Sequence, residues 1–144
     1  MSEGGENDFY YNYLTREIQI ASSLHPEDLD SLTPAIYLPL VPFSPPDILF
    51  YNLPFLRNSL AEAYHRFGML DKAIAEYERL ITFEASRDDR HLINPRYHYY
   101  LGIIYQEKGM KDKAAVQFQK FLDLWQDADP GYTEPADAKR RLKE

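Results

Sequence analysis

"GMLDKAIAEYERL" occupies residues 68–80, and "GMKDKAAVQFQKF" occupies residues 109–121. The chain thus writes Gly-Met-x-Asp-Lys-Ala twice, 41 residues apart. Each copy follows a stretch with apolar residues at three- and four-residue steps, "PFLRNSLAEAYHRF" at 54–67 and "PRYHYYLGIIYQEK" at 95–108. That spacing predicts amphipathic helices, so each copy reads as helix, glycine turn, helix. Gly68 and Gly109 stand where one helix must stop and reverse, which suits a left-handed C-cap. Asp71 and Asp112 come just after, near the positive start of the following helix. Asn94 is placed to cap the third helix, with Pro95 at its first position.

The two copies share a pattern of volumes. Ala61 and Gly102 are small where two helices must approach closely, and Ala73 and Ala114 are small on the second helix of each pair. Tyr64 and Tyr105 are expected to fill the gap between paired helices, and Tyr77 and Phe118 the gap to the next pair. In this register Leu60, Ala61, Tyr64, Gly68, Ala73, Tyr77 and Leu80, then Leu101, Gly102, Tyr105, Gly109, Ala114, Phe118 and Phe121, resemble the consensus of the tetratricopeptide repeat, a helix-turn-helix unit of about 34 residues. The resemblance covers residues 54–126. It implies an all-α fold, a tetratricopeptide helix-turn-helix solenoid of two repeats at 54–83 and 95–126. Arg57 and His98 depart from it where the consensus has tryptophan, as do Ala85 and Gln126 where it has proline. The 41-residue spacing leaves a surplus, placed at 84–94. The closing "FLDLWQDADPGYTEPADAKRRL" resembles the C-terminal tetratricopeptide tails of larger bacterial proteins, so an excised C-terminal module is expected.

Each repeat needs a neighbour to cover its apolar face, and the flanks are expected to supply it. Residues 1–53 read as an N-terminal helix plus a proline-rich extended strap packed on the repeats. The helix is expected at 8–23, with Tyr10, Tyr13, Leu14, Ile18 and Ala21 on one apolar face, followed by a short helical turn in "PEDLDSL". Between 33 and 54, Pro34, Pro39, Pro42, Pro45, Pro46 and Pro54 exclude a regular helix or a central strand. The apolar residues among them, Leu38, Leu40, Val41 and Phe43 included, suit either a strap lying along the helices or an arm reaching onto a second copy. Residues 127–144 read as a C-terminal capping helix, with Thr133 as its cap and Ala138 and Leu142 facing inwards.

Composition narrows the function. The chain has 144 residues, 15% aromatic, with 12 tyrosines and a net charge of −7. An acidic surface repels phosphate backbones, so nucleic acid is not an expected partner, and "KRRLK" at 139–143 reads as a solvated helix end. There is no cysteine, which removes disulfides and thiolate chemistry and fits a cytoplasmic setting. No apolar run approaches the ~20 residues that span a bilayer, so no membrane is expected. His25, His65, His91 and His98 form no convergent ligand set. No nucleophile, oriented base and oxyanion site come together. Neither an enzyme nor a cofactor is expected.

The resemblance implies a protein-interaction module. In tetratricopeptide arrays the first helix of each pair lines a concave groove that takes a peptide or partner domain. Carried over, its groove positions are Phe55, Asn58, Glu62 and His65, then Arg96, Tyr99, Ile103 and Gln106. Chaperone-binding members grip a terminal carboxylate at positions that here are Asn58 and Glu62, and Glu62 would repel one. The alternative is a homodimer, through the proline-rich arm or an exposed solenoid end. The groove could also be filled by the chain's own first 53 residues.

Overall fold

A computed structural model describes residue 15 and residues 17–22, 25–30, 55–82, 93–127 and 131–144. The proline-rich stretch 33–54, most of the connection 84–94, His91 and the first 14 residues (Tyr10, Tyr13 and Leu14 among them) lie outside the described residues. Every regular element described is helical. We number the five principal helices α1 (Phe55–Arg66), α2 (Leu70–Ile81), α3 (Arg96–Glu107), α4 (Lys111–Leu124) and α5 (Glu134–Arg141). They pack in chain order, α1 on α2, α2 on α3, α3 on α4 and α4 on α5.

Both pairs turn by the same device. Gly68 and Gly109 take φ of 71° and 76°, which only glycine adopts without penalty. Gly68 N–H donates to the His65 carbonyl at 2.9 Å and Met69 N–H to the Tyr64 carbonyl at 2.9 Å. The same two bonds recur from Gly109 to Gln106 at 3.0 Å and from Met110 to Tyr105 at 2.8 Å. This is the Schellman arrangement, which satisfies carbonyls that the helix end would otherwise orphan. Asp71 and Asp112 lie in the first turns of α2 and α4. At the start of α3, Arg96 N–H donates to Asn94 Oδ1 at 3.0 Å. Thr133 precedes α5 but makes no side-chain capping bond. Its backbone is already helical, at φ −87° and ψ −23°, whereas a capping side chain reaches back best from an extended residue.

The core runs continuously through both pairs. Leu60, Ala61, Tyr64, Ala73, Tyr77 and Leu80 are buried, and so are Leu101, Tyr105, Ala114, Phe118 and Phe121. Tyr77 packs forward onto α3, its ring centroid 6.2 Å from Tyr97 and 6.0 Å from Tyr100. Phe118, expected to bridge to a following element, lies against α3 of its own pair. A Cβ added at Gly102 would stand 2.7 Å from the Phe118 ring, so residue 102 has no room for a side chain. Ala138 of α5 is fully buried and Leu142 packs at the core's edge.

Before α1, residues 17–22 and 26–30 are helical. Here one sequence expectation is corrected. Ile18 is 66% exposed and Ala21 is exposed, while Ile20 is buried at 2%. Two contacts to α1 set that rotation. Ser59 Oγ donates to Glu17 Oε2 at 2.7 Å, and Arg66 Nη2 donates to the Ile20 carbonyl at 3.3 Å. Glu17 and Ile20, three residues apart, therefore share the inward face. Leu29 is fully buried, and Asp30 accepts from Tyr64 at 3.2 Å and from Lys72 at 2.5 Å. Residues 17–22 and 25–30 thus lie along α1 and the start of α2.

Candidate partner-binding face

Most of the expected groove positions of the second pair face α5. Arg96 pairs with Glu134 at 2.8 Å, and its guanidinium lies 5.3 Å from the Trp125 ring centroid and 5.0 Å from that of Tyr132. Such cation–aromatic contacts hold a charge most firmly where water is scarce. The Tyr99 hydroxyl donates to Asp137 Oδ2 at 2.8 Å. Arg141 Nη1 donates to Gln106 Oε1 at 2.7 Å, and its Nε contacts Asp137 at 2.5 Å. Burial and the Asp137 bond push the Tyr99 hydroxyl up to about 12. Partial burial of Asp137 works against its ionisation, but bonds from Arg141, Arg140 and Tyr99 outweigh it and hold the carboxyl at about 2. Three of the four groove positions in this pair, Arg96, Tyr99 and Gln106, are therefore engaged by the chain itself. Ile103 is half-buried at the core's edge.

Sequence reasoning missed Glu134, Asp137 and Arg141 as the residues that meet these positions. A signal was present. The three recur at steps of three and four, so they share one face of a single helix.

The first pair differs. Phe55 opens α1, and its side chain lies outside the described ones. Asn58 Nδ2 donates to Glu62 Oε1 at 2.8 Å, while Asn58 Oδ1 is buried and accepts no bond among the described residues. Glu62 is exposed. His65 ties the two pairs together, with Nε2 2.8 Å from Glu107. Lys108 to Asp71 and Tyr105 to Glu78 make further ties between pairs. Tyr77, Tyr97 and Tyr100 cluster between α2 and α3. Burial raises the pKa of each hydroxyl, and the Glu62 charge adds to the rise in all three.

His98 stands apart from this face. It is 6% exposed, and its Nδ1 lies 2.8 Å from Gln117 Oε1. Burial lowers its pKa, with the Gln117 bond opposing. Among the described residues no three His, Asp or Glu side chains gather as a metal site would require, and no helix is long and apolar enough to cross a membrane.

No curated protein and no solved structure matches the chain. A family model described as tetratricopeptide repeat matches residues 97–128. That span takes in nearly all of α3 and the whole of α4, and α1 and α2 repeat their turn geometry and buried positions. Residues 97–128 thus match a tetratricopeptide repeat, and the helix pairs form a tetratricopeptide-like helical repeat.

Proposed function

We propose that the chain is a protein–protein interaction module, a scaffold that receives a peptide or partner domain on the concave side of its helix pairs. Solenoid repeats use such extended concave surfaces for binding. The observation that carries this reading is the contrast between the two pairs. Arg96, Tyr99 and Gln106 hold α5, whereas Glu62 is exposed and, among the described residues, hydrogen-bonds only Asn58. The net charge of −7 and the absence of cysteine fit a cytoplasmic protein that does not bind nucleic acid. A photo-crosslinking residue placed at Glu62 or Ile103 should join a distinct polypeptide in cells, and the same residue at Asp112 should not. Equal labelling from all three positions would sink the proposal.

Self-association is the second reading. Val116 and Leu124 on α4 are 51% and 57% exposed, apolar surface at the end of the solenoid that a second copy could cover. The proline-rich arm is the other candidate contact. Light scattering after size exclusion separates the readings. A mass of 16.9 kDa at every concentration excludes a homodimer, and a doubled mass favours it.

A further inference from the structure

The last helix is held differently from the four before it. Each of those buries a large side chain, Leu60 on α1, Tyr77 on α2, Leu101 on α3 and Phe118 on α4. Helix α5 buries only Ala138, and Leu142 just past its end is half-buried. An alanine takes little apolar surface out of water. With eight residues and no capping bond from Thr133, the helix would not persist unaided. What seats it is polar. Glu134 meets Arg96, Asp137 meets Tyr99 and Arg141 meets Gln106. Pairs between partly exposed groups hold weakly. The fit is also incomplete, because Glu134 bonds Arg96 at Nη2 while the buried Arg96 Nε makes no bond among the described residues. An element held in this way sits at the low end of a protein's local stabilities.

The same contacts define what this face accepts. Arg96 and the Tyr99 hydroxyl each donate to a carboxylate, and Gln106 Oε1 accepts from a guanidinium. Positions 96, 99 and 106 meet 134, 137 and 141 in order, so the occupant runs in the same direction as α3. Ala138 is fully buried beside them, which leaves room for a small side chain only. We infer that the concave side of the second pair is a helix-receiving site with α5 as its exchangeable occupant. The partner is a helical segment of another polypeptide. It carries one carboxylate, a second three residues on, a small residue next and an arginine three beyond that. This rests on the concave-face reading above and names the chemistry of its partner. Cations on the outer side of such a helix, like the exposed Lys139, Arg140 and Lys143, complement a chain of net charge −7.

The probe is a peptide of residues 131–144, GYTEPADAKRRLKE, added to the full, nitrogen-15-labelled chain. The tethered α5 competes at an effective concentration on the order of millimolar, so the unaltered chain should saturate only in that range. Glu134→Ala with Asp137→Ala loosens the tethered helix and leaves α3 untouched. That chain should bind the peptide about tenfold more tightly, as expected when the competitor loses charged hydrogen-bond partners, with saturating shifts at the amides of Arg96, Tyr99 and Gln106. A peptide bearing the same two alanines should bind neither chain. Equal binding of both peptides would show that the carboxylates do not select the helix, and would overturn the inference. So would a native peptide that shifts no α3 amide in the double variant, which makes α5 a fixed cap. A crosslink from Glu62 would then still carry the concave-face reading, and its absence as well would sink that reading too. Hydrogen exchange of the unaltered chain adds a check that needs no variant to fold. The amides of residues 138–142 should exchange at least about tenfold faster than those in the middle of α4. Equal protection of the two helices would overturn the inference.

Discussion

At the position where its two helices approach most closely, the first pair has Ala61 and the second has Gly102. The difference of one methyl follows what lies opposite. Phe118 lies back against α3, so close that a Cβ at 102 would meet its ring at 2.7 Å. Tyr77, at the same repeat position as Phe118, instead leans forward onto Tyr97 and Tyr100 of the next pair. The consensus treats the two aromatics as equivalent, yet one joins pairs and the other closes a pair. The first pair has a following repeat to pack against, and the second ends at a cap of eight residues.

The largest effect should come from the ring that anchors this end. Phe121 is fully buried, 5.2 Å from the Tyr99 ring and edge-on to Trp125 at 5.2 Å. Phe121→Ala should cost ~3–5 kcal/mol in urea unfolding, with the matching Leu80→Ala at ~2–5 kcal/mol. A Leu80→Ala loss clearly exceeding that of Phe121→Ala would make the first pair the stronger anchor. Next, Gly102→Ala gains about 1 kcal/mol of helix propensity but overpacks Phe118 by roughly 1–3 kcal/mol. The balance should be destabilising, and Phe118→Leu in the same chain should restore part of the loss. Ala61→Gly should simply lose about 1 kcal/mol of propensity. If Gly102→Ala stabilises the protein, the tight crossing is not a constraint.

Two smaller effects depend on pH. The Asp137 carboxyl is held at about 2 against an ordinary 3.8. Its contribution, on the order of 1–2 kcal/mol, is fully present above 3.8 and is lost as pH falls towards 2. Asp137→Asn should flatten the acid limb of stability over that interval. His98 runs differently, because burial lowers its pKa from 6.5. The unfolded chain then binds the proton more readily, so stability is full above 6.5 and declines as pH drops below it. His98→Gln should remove that shallow decline, as read from unfolding midpoints between pH 7 and 5. An unchanged slope would show that His98 accepts a proton in the folded protein at little cost.

The repeat interior was legible because it is a pattern of volumes with a period, and every consensus apolar position at 60–80 and 101–121 is buried. The turns were legible for a local reason, since a reversal needs positive φ and Gly68 and Gly109 supply it. What escaped depends on distant contacts. Ile18 and Ile20 are both apolar and cannot share a helical face. Ser59 and Arg66, more than 40 residues away, choose between them. The partners of Arg96, Tyr99 and Gln106 likewise lie 35 or more residues on, in α5. The consensus names these positions as groove-lining, but it carries no information about a short charged helix that follows.

Trp125 is the chain's single tryptophan. It stands at the joint between α4 and α5, edge-on to Phe121, 5.0 Å from Tyr132 and beneath Arg96. The molecule therefore carries an intrinsic optical probe at one spot. Its emission registers whether the last helix is seated and is nearly silent about the first helix pair, where only tyrosines absorb. Equilibrium unfolding followed by tryptophan emission and by helical ellipticity would coincide if the solenoid melts as one body. The emission change would come first if the array frays from its C-terminal end.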